Sequence, residues 1–518
     1  MKKIIPWQKI LSWLALALTV VMGYARSLPP KMTALPPANT HLVYVGNLYI
    51  QDWQGRFYSE GLRKGARALY PSKAGRVGEK WELLDVLATG SRSPLPSDAL
   101  RIPLERLYIS TPGPQLKDRI AALPAGERLL VVGVMTEGDH GPVIGDGWKF
   151  REVVLLGDDV PDGFLISPSV RFRPGLIAAT DIAATALGRP FGAGRPAVTI
   201  PGKFENLARQ RELWKQRGAV GLVVIPWLLT PLLLLTAWKK WELLGRLVFA
   251  VPLAMLLTPL LGTPLYPLNA RGHLVLMVLF LVIVGLATWK LSVRHIALVI
   301  ALVLWAGVTL GVPTLEYNTF SYSLAEAARF YGIGNEGAGL LVGCALAAGF
   351  DIPALLAIAI AIGAPSLGAN NGCFLAALVG IGAREILKLP KTKRLWAAFV
   401  VLLGIGILFF GLARWDASRG AGVQTHLGRA VSGERVGALT LIGRKLAMNG
   451  HLLVSSPWSL LLLTSGVLLV RRKCWGVLIA GGAALALNDS GVLAAATLLL
   501  PSVLQKRQNP LSHKKTEG

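Results

Sequence analysis

Charged and amide side chains form short clusters in the otherwise apolar second half of this sequence. The clusters cover residues 329–336, 366–371, 425–429 with Glu434 and Arg435, 444–449 and 488–490. Polar groups at membrane depth are costly and usually mark a binding site or a fully paired network. The residues that form the candidate pocket are Arg329, Tyr331, Asn335, Glu336, Asn370, Asn371, His426, Arg429, Arg444, Lys445, Asn449 and Asp489.

The cations and the acids of this set suggest two kinds of chemistry. Guanidinium groups bind phosphate oxygens through paired N–H donors. The cations are therefore candidate ligands of a phosphate or pyrophosphate group: Arg329, Arg429, Arg444 and Lys445. Glu336, His426 and Asp489 are candidates for acid–base catalysis or proton relay. The alternative is that all of these groups cap short helices and pair with one another.

Apolar runs recur from Gly218 almost to the end of the chain and predict an all-α transmembrane domain. Lys and Arg concentrate in short connections such as 239–240, 384–394 and 471–473. Because cytoplasmic loops retain cations, these connections orient a path of about ten or eleven spans or half-spans, with every polar cluster facing outward. Several runs are too short to cross alone and predict broken or re-entrant helices, with breaks at Gly363–Gly372 and Leu487–Gly491.

Composition agrees with a membrane protein. Of the 518 residues, 53% are hydrophobic and only 16% are charged, which excludes a single soluble enzyme and a disordered chain. The formal net charge of +25 could indicate nucleic-acid binding. Because much of the excess lies between apolar runs, membrane topology is the preferred explanation, and no nucleic-acid partner is expected.

The N-terminal apolar segment Ile4–Ala25 follows Lys2-Lys3 and predicts entry into the membrane. It is either a cleaved signal peptide, with Gly23 and Ala25 near the cleavage site, or a retained anchor. Residues 26–217 are then extracytoplasmic. They contain no cysteine, so this domain has no disulfide. The predicted organisation is a signal or anchor (1–25), an extracytoplasmic α/β domain (26–217), a transmembrane domain (218–504) and a basic cytoplasmic tail (505–518).

Alternating and continuous apolar runs predict the α/β character of the exported region. The predicted strands are His41–Ile50, Leu83–Leu87, Leu129–Met135, Val153–Leu156 and Phe164–Ser167. The predicted helices are Phe57–Tyr70, Asp181–Leu187 (with Thr180 as N-cap and Gly188 after its end) and Gln210–Arg217. The segment Pro190–Pro201 is predicted to be a loop.

Several segments of this region form a recognisable pattern. Leu165-Ile166-Ser167 precedes Arg171-Phe172-Arg173-Pro174-Gly175-Leu176 and then Thr180-Asp181-Ile182-Ala183-Ala184-Thr185. Together they resemble a C-terminal signature of alkaline-phosphatase-like domains, in which an Arg-Arg-Pro-Gly turn precedes a Thr-Asp-Ile-Ala-Pro-Thr helix. Asp139-His140-Gly141 resembles the metal-ligand motif of that superfamily, and Thr89-Gly90-Ser91-Arg92 resembles a segment near its middle. The membrane half, with residues 328–336, resembles uncharacterised polytopic bacterial proteins that carry such a domain.

The resemblance implies a shortened and degenerate member of that superfamily. Active members hold two metals with several His and Asp residues, whereas this region contains only His41 and His140, and Ala184 replaces the proline of the signature. Asp139 and His140 are the candidate ligands of a divalent ion, zinc or manganese. The domain is therefore expected to be non-catalytic.

These observations predict a multi-pass protein of the cytoplasmic (inner) membrane that handles an anionic, phosphate-bearing envelope component at the outer face. The expected partners are membrane lipids and a lipid-linked phosphate or glycan. One alternative is an active metal-dependent phosphatase or phosphotransferase. Another is a transporter or flippase of an envelope lipid or glycan that uses the broken helices.

Overall fold

The structure is a computed structural model of the chain. It describes residues 6–26, 38–46, 65–71, 107–110, 114–134, 150–170, 175–179, 181–190, 195–201, 225–238, 242–262, 270–311, 320, 332–419, 425, 428 and 438–504. Strands lie between residues 40 and 201, and helices dominate from residue 225 onward. The α/β character of the first part and the mostly helical character of the second part follow the sequence prediction.

A mixed seven-stranded sheet forms the centre of the N-terminal part. Its strands are β1 (Thr40–Gly46), β2 (Gly65–Pro71), β3 (Leu107–Ser110), β4 (Arg128–Val134), β5 (Phe150–Leu156), β6 (Gly163–Ile166) and β7 (Val198–Pro201), in the order β3-β1-β4-β5-β2-β6-β7. β1 pairs parallel to both β3 and β4, with Leu42 beside Leu107 and Leu130. β5 runs antiparallel to its neighbours β4 and β2, and β7 runs antiparallel to β6.

Helices α2 (Pro114–Ala121) and α3 (Asp181–Leu187) cover opposite faces of this sheet. Because side chains alternate along a strand, Leu130 and Val132 of β4 pack with Ile182 of α3. The intervening Leu129 and Val131 pack with the side chains of α2. Each face therefore has its own apolar core, and the central strands are buried on both sides.

The strands β1, β4, β5 and β6 confirm four sequence predictions within the described ranges, and α3 with Gly188 at φ +64° confirms a fifth. Two predictions were wrong. Residues 65–70, predicted as helix, belong to β2, because strands on either side supply sheet hydrogen bonds that outweigh a local helical pattern. The last residues of the predicted loop 190–201 form the edge strand β7. The segments 83–87 and 210–217 and Thr180 lie outside the described residues.

Asp181 links α3 to the surrounding chain. Its fully buried carboxylate accepts hydrogen bonds from Ser167 Oγ (2.6 Å), Ser169 Oγ (2.6 Å) and the backbone N–H groups of Ala178 (2.9 Å) and Arg195 (3.0 Å). Burial raises the pKa of Asp181, and these four donors oppose that shift. The acidic residue of the Thr-Asp-Ile-Ala segment is thus explained by its structural contacts.

The second part of the chain consists of apolar helices. They are α4 (Ile225–Trp238), α5 (Glu242–Gly262), α6 (Ala270–Thr288), α7 (Val293–Leu310), α8 (Asn335–Ala348), α9 (Ile352–Gly363), α10 (Asn371–Ile386), α11 (Lys391–Ser418), α12 (Ala438–Ser455), α13 (Trp458–Arg471), α14 (Trp475–Leu487) and α15 (Gly491–Val503). The final apolar run is two helices rather than one, as the interruption at 488–490 predicted. The helix α12, which precedes the α13 span, was not predicted.

Among the described residues, three helices are long and apolar enough to cross a membrane, namely α1 (Pro6–Ala25), α7 and α11. The α12–α13 pair also passes as one unit, but it bends by 92°. The remaining helices of α8–α15 contain 12 to 16 residues. These are the features of a membrane protein in which full-length helices surround shorter ones.

Two tight helical hairpins form the middle of this bundle. Hairpin A consists of α9 and α10, joined by the tip 364–370, and hairpin B consists of α14 and α15, joined by the tip 488–490. Helices α10 and α14 run antiparallel, because Gly372 lies against Asn488, Gly380 against Ala480 and Gly476 against Arg384. Helices α8 and α15 run parallel, and both therefore begin at the level of the hairpin tips.

Arginine side chains cap helix C-termini at the opposite end of the bundle, which we call the arginine end. Arg294 Nε donates to Ala348 O at the end of α8 (2.8 Å), and Arg384 Nη1 donates to Phe350 O (2.8 Å). Arg472 donates to Val503 O at the end of α15, and Arg246 donates to Trp289 O just after α6. Cations placed on these carbonyl groups complement the negative ends of the helix dipoles.

The helix α1 packs along α9 and reaches the tip of hairpin A. Buried Thr19 Oγ1 accepts from Trp305 Nε1 (3.0 Å), and Gly23 O accepts from Ser366 Oγ. Arg26 Nη1 donates to Val308 O at the end of α7 (3.1 Å). These contacts make α1 part of the helical bundle.

The Asp181 network predicts a local loss of stability when its carboxylate is changed. Asp181→Asn retains the side-chain volume but cannot accept four hydrogen bonds, so the opening free energy around α3 should fall by about 2–4 kcal/mol. Hydrogen–deuterium exchange of the full-length protein in detergent would measure this, with faster exchange in peptides covering 175–201. Asp158→Asn, at an exposed turn, is the matched control. Equal protection in the two variants would contradict the structural role.

Candidate functional site

The candidate site lies where the tips of hairpins A and B meet. Gly372, in the first turn of α10, lies so close to Asn488 that a Cβ at this position would overlap Asn488 Oδ1. Cys373 Sγ lies 3.5 Å from the same Oδ1 atom, and Asn488 Nδ2 donates to Ala484 O (2.8 Å). The two helix breaks predicted from the sequence are therefore in direct contact, and we call the polar group around them the amide cluster.

Asn370 joins the tip of hairpin A to the start of α8. Its Oδ1 caps α10 by accepting from Cys373 N (3.1 Å), and its Nδ2 donates to Asn335 Oδ1 (2.9 Å) and Ile333 O (3.3 Å). The side chain is 3% exposed. A second link joins Ile333 N to Gly368 O (2.9 Å), and Gly332, at φ +94°, permits this close approach of two backbones.

Asn449 of α12 satisfies the broken backbone at the tip of hairpin B. Its Nδ2 donates to Leu485 O (2.9 Å) and Asn488 O (2.8 Å), and its Oδ1 accepts from Gly491 N (2.7 Å). Lys445, one turn earlier on α12, donates from Nζ to Leu487 O (2.6 Å) at the end of α14. A helix break inside an apolar bundle needs such partners, because its carbonyl and N–H groups have no water to bind.

The charged members of the predicted set at this end are half-exposed. Arg444 Nη2 lies 3.4 Å from Asp489 Oδ1, and the two side chains are 61% and 49% exposed. An ion pair with this exposure contributes little to stability, so both groups remain accessible to a ligand or to solvent. Asp489 is thus placed beside a cation on the surface of the tip rather than deep in the cluster.

Three helices begin at the amide cluster: α8 at Asn335, α10 at Asn371 and α15 at Gly491. Asn335 and Asn371 are half-buried. Within the described residues, the backbone N–H groups of Asn371 and Gly372 have no acceptor, as is usual in the first turn of a helix. These N-termini place positive potential beside the C-terminal ends of α9 and α14 at the same tips, and the N–H groups left without an acceptor at the start of α10 make this place suitable for an anion.

The structure brings together most of the predicted pocket residues that it describes. Asn335, Asn370, Asn371, Asn449 and Asp489 lie in or beside the amide cluster, with Lys445 and Arg444 on the helix above it. Glu336 is buried in the first turn of α8 and has interactions of its own. The other predicted residues lie outside the described ranges: Arg329, Tyr331, His426, Arg429, and the candidate metal ligands Asp139 and His140.

Sequence reasoning missed several members of the site. Asn488 and Cys373 contact each other across the two tips, and Ser366 ties hairpin A to α1. Asn488 was part of a recognised polar cluster, so its position next to the break signalled a structural role. Cys373 gave no such signal, because a cysteine in an apolar helix is usually only a packing residue.

The described residues contain no group of three or more His, Cys, Asp or Glu side chains close enough to hold a metal ion. The amide cluster itself is neutral, and its oxygen atoms are engaged by the hydrogen bonds given above. Among the described residues, the donors that the cluster leaves without an acceptor include the backbone N–H groups of Asn371 and Gly372.

Comparisons with protein-family models, with curated proteins and with solved structures find no match for this chain. They assign no family, and the resemblance of the N-terminal α/β region to alkaline-phosphatase-like domains stays a prediction. Functional interpretation therefore depends on the geometry of the amide cluster and its surroundings.

Asn449 provides a direct test of how the break in hairpin B is held. Asn449→Ala removes partners of Leu485 O, Asn488 O and Gly491 N at once, so we expect a loss of roughly 2–5 kcal/mol in the free energy of unfolding. The thermal unfolding temperature of the full-length protein in detergent would show the effect. Met448→Ala truncates an exposed neighbour on the same helix and serves as control. If both variants unfold at the same temperature, α12 does not stabilise the break.

Proposed function

We propose that this protein is an integral membrane protein that binds a phosphate-bearing component of the cell envelope at the amide cluster. The observation that carries the proposal is the convergence of the N-termini of α8, α10 and α15 at the tips of two touching hairpins. Such an arrangement favours an anionic group over a neutral or cationic one. Arg444, which is 61% exposed, adds a solvent-accessible cation beside the same place.

The depth of the cluster supports a ligand that is part of, or attached to, a lipid. Helices of 12 to 16 residues extend only about 18–24 Å, whereas the hydrocarbon core is about 30 Å thick. With the arginine end at one surface, the tips then lie roughly 6–12 Å below the opposite edge of that core. A phosphate group held there would have its apolar chain in contact with the bilayer.

The distribution of basic residues supports an outward-facing site. Lys290, Arg294, Lys391 and residues 471–473 lie at the arginine end, together with the caps at Arg384 and Arg472. Cations near helix ends are retained in the cytoplasm, so the arginine end is assigned to the inside. The amide cluster then opens toward the outer face, the same side as the exported α/β region.

A charge introduced at Asn371 tests anion binding. Aspartate is favourable in the first turn of a helix, so Asn371→Asp should fold, while its negative charge repels a bound anion. We expect dodecyl phosphate to raise the unfolding temperature of the wild-type protein in a neutral detergent and to lose most of this effect in the variant. Inorganic phosphate, tested in parallel, separates a free anion from a lipid-like one.

The matched control is Thr392→Asp, which places the same charge at the start of α11, an exposed position at the arginine end. This variant should respond to dodecyl phosphate like the wild type. The proposal would be contradicted if dodecyl phosphate did not stabilise the wild type, or if it raised the unfolding temperature of Asn371→Asp equally.

Single cysteines test the orientation. Ser455→Cys, at the end of α12, should react with a membrane-impermeant maleimide in intact cells, whereas Lys391→Cys should react only after permeabilisation. The native Cys344 and Cys373 are buried, and the half-buried Cys474 lies at the arginine end, so the background is low from outside. Labelling of Lys391→Cys in intact cells would reverse the assigned topology.

Transport is the second candidate function, because two broken hairpins in contact are typical of transporter sites. Asn371→Cys distinguishes the candidates. If the binding site is open to one face only, the maleimide should react with Asn371→Cys only from the side on which it reacts with Ser455→Cys. Labelling of the same cysteine from both sides would show alternating access and favour a transporter or flippase.

A further inference from the structure

The end of α11 contains a buried ion pair that is not part of the amide cluster. Asp416 is fully buried, and its Oδ2 accepts from Thr425 N (2.8 Å), Thr425 Oγ1 (2.5 Å) and Gly428 N (2.8 Å). Its other oxygen, Oδ1, accepts from Arg419 Nη1 at 3.3 Å. The carboxylate is thus held mainly by the segment that includes Thr425 and Gly428 and only weakly by the arginine.

Arg419 is poorly satisfied for a guanidinium in such a place. Its side chain is only 6% exposed, and within the described residues its Nε–H has no hydrogen-bond acceptor. A guanidinium carries five N–H donors, and leaving one of them buried and unpaired is costly. If Arg419 served only to pair with Asp416, its Nε–H would not need to be buried without an acceptor. Three other donors already hold that carboxylate.

The pair lies next to the tip of hairpin A. Trp415, the residue before Asp416, lies beside Gly23 together with Ser366 and Leu367 of that tip. Arg419 therefore belongs to the same end of the bundle as the amide cluster.

We propose that Arg419 is a binding residue for the phosphate oxygens of the ligand, with its Nε–H and a terminal N–H directed at that group and Asp416 holding the guanidinium in position. This inference rests on the proposed function and adds a residue to it. Guanidinium groups recognise phosphate through two parallel hydrogen bonds, and the donors left over in this pair suit that geometry. The ligand chemistry is a phosphate ester, supplied by a lipid headgroup or by a free phosphate.

Binding to purified full-length variants tests the inference. Arg419→Gln should weaken the binding of dodecyl phosphate about tenfold or more, as expected for the loss of a charge-assisted pair. Arg419→Lys, which keeps the charge without the paired donors, should fall in between. Arg414→Gln removes an exposed arginine that stacks on Phe410 one turn earlier, and it should bind like the wild type. Inorganic phosphate in a parallel series distinguishes a free anion from a headgroup.

A second variant separates ligand binding from folding. If Arg419 only neutralises the charge of Asp416, Arg419→Gln should lower the unfolding temperature of the ligand-free protein. In that case, the double variant Asp416→Asn with Arg419→Gln should restore both stability and binding. We expect the double variant to fold and to remain defective in binding. If Arg419→Gln or the double variant still binds dodecyl phosphate, the proposed role of Arg419 is wrong. The proposed function still stands in that case if Asn371→Asp has lost the response to dodecyl phosphate. A wild-type protein that binds no phosphate probe overturns both proposals.

Discussion

The helical half of this protein depends on satisfying backbone groups where helices break inside an apolar bundle. Each break exposes carbonyl and N–H groups that cannot bind water, and leaving several unpaired would cost more than a typical domain's net stability. At hairpin B the solution is the carboxamide of Asn449, which supplies two donors and one acceptor to three backbone groups. At hairpin A it is Asn370, which caps its own helix and reaches the start of α8.

The choice of asparagine over a charged residue follows from this constraint. An amide donates and accepts at once and carries no net charge, so it can be buried without a counter-ion. Aspartate in place of Asn449 could not donate to two carbonyl groups, and a lysine could not accept from Gly491 N. Because the amides are neutral, they add no charge at the breaks, and the N–H groups left without an acceptor at the start of α10 keep the place suited to an anion.

The cationic side chains at the two ends of the bundle are placed in accordance with the helix dipoles. Arginines at one end donate to the carbonyl ends of α6, α8 and α15, whereas the start of α10 at the other end retains N–H groups without an acceptor. At the amide end, Lys445 of α12 donates to Leu487 O, where α14 ends at the tip of hairpin B, and Arg26 donates to Val308 O near the end of α7. Cations therefore follow carbonyl ends on both sides of the bundle.

Local pattern predicted much of this arrangement but not its contacts. The breaks, the basic connections and the strands β1, β4, β5 and β6 are encoded in short stretches of sequence, since hydrophobic period and charge position are local properties. The strand β2 was mistaken for a helix because its neighbours β5 and β6 come much later in the chain, and sheet pairing over such distances leaves no local signal. The pairing of Asn488 with Cys373 was missed for the same reason.

The helix α12 combines an apolar and a polar flank with a third face that holds the site together. It bends by 92° from α13, so the two helices do not form one straight span. Lys445, Asn449 and Leu452 share the face directed at hairpin B, while Leu446 and Leu453 are exposed on one flank and Arg444 and His451 on the opposite flank. A helix with apolar and polar flanks is suited to the membrane interface. Because its third face holds the break closed, any displacement of α12 would unpair Leu487 O and the backbone groups bound by Asn449, which couples the position of α12 to the order of the amide cluster.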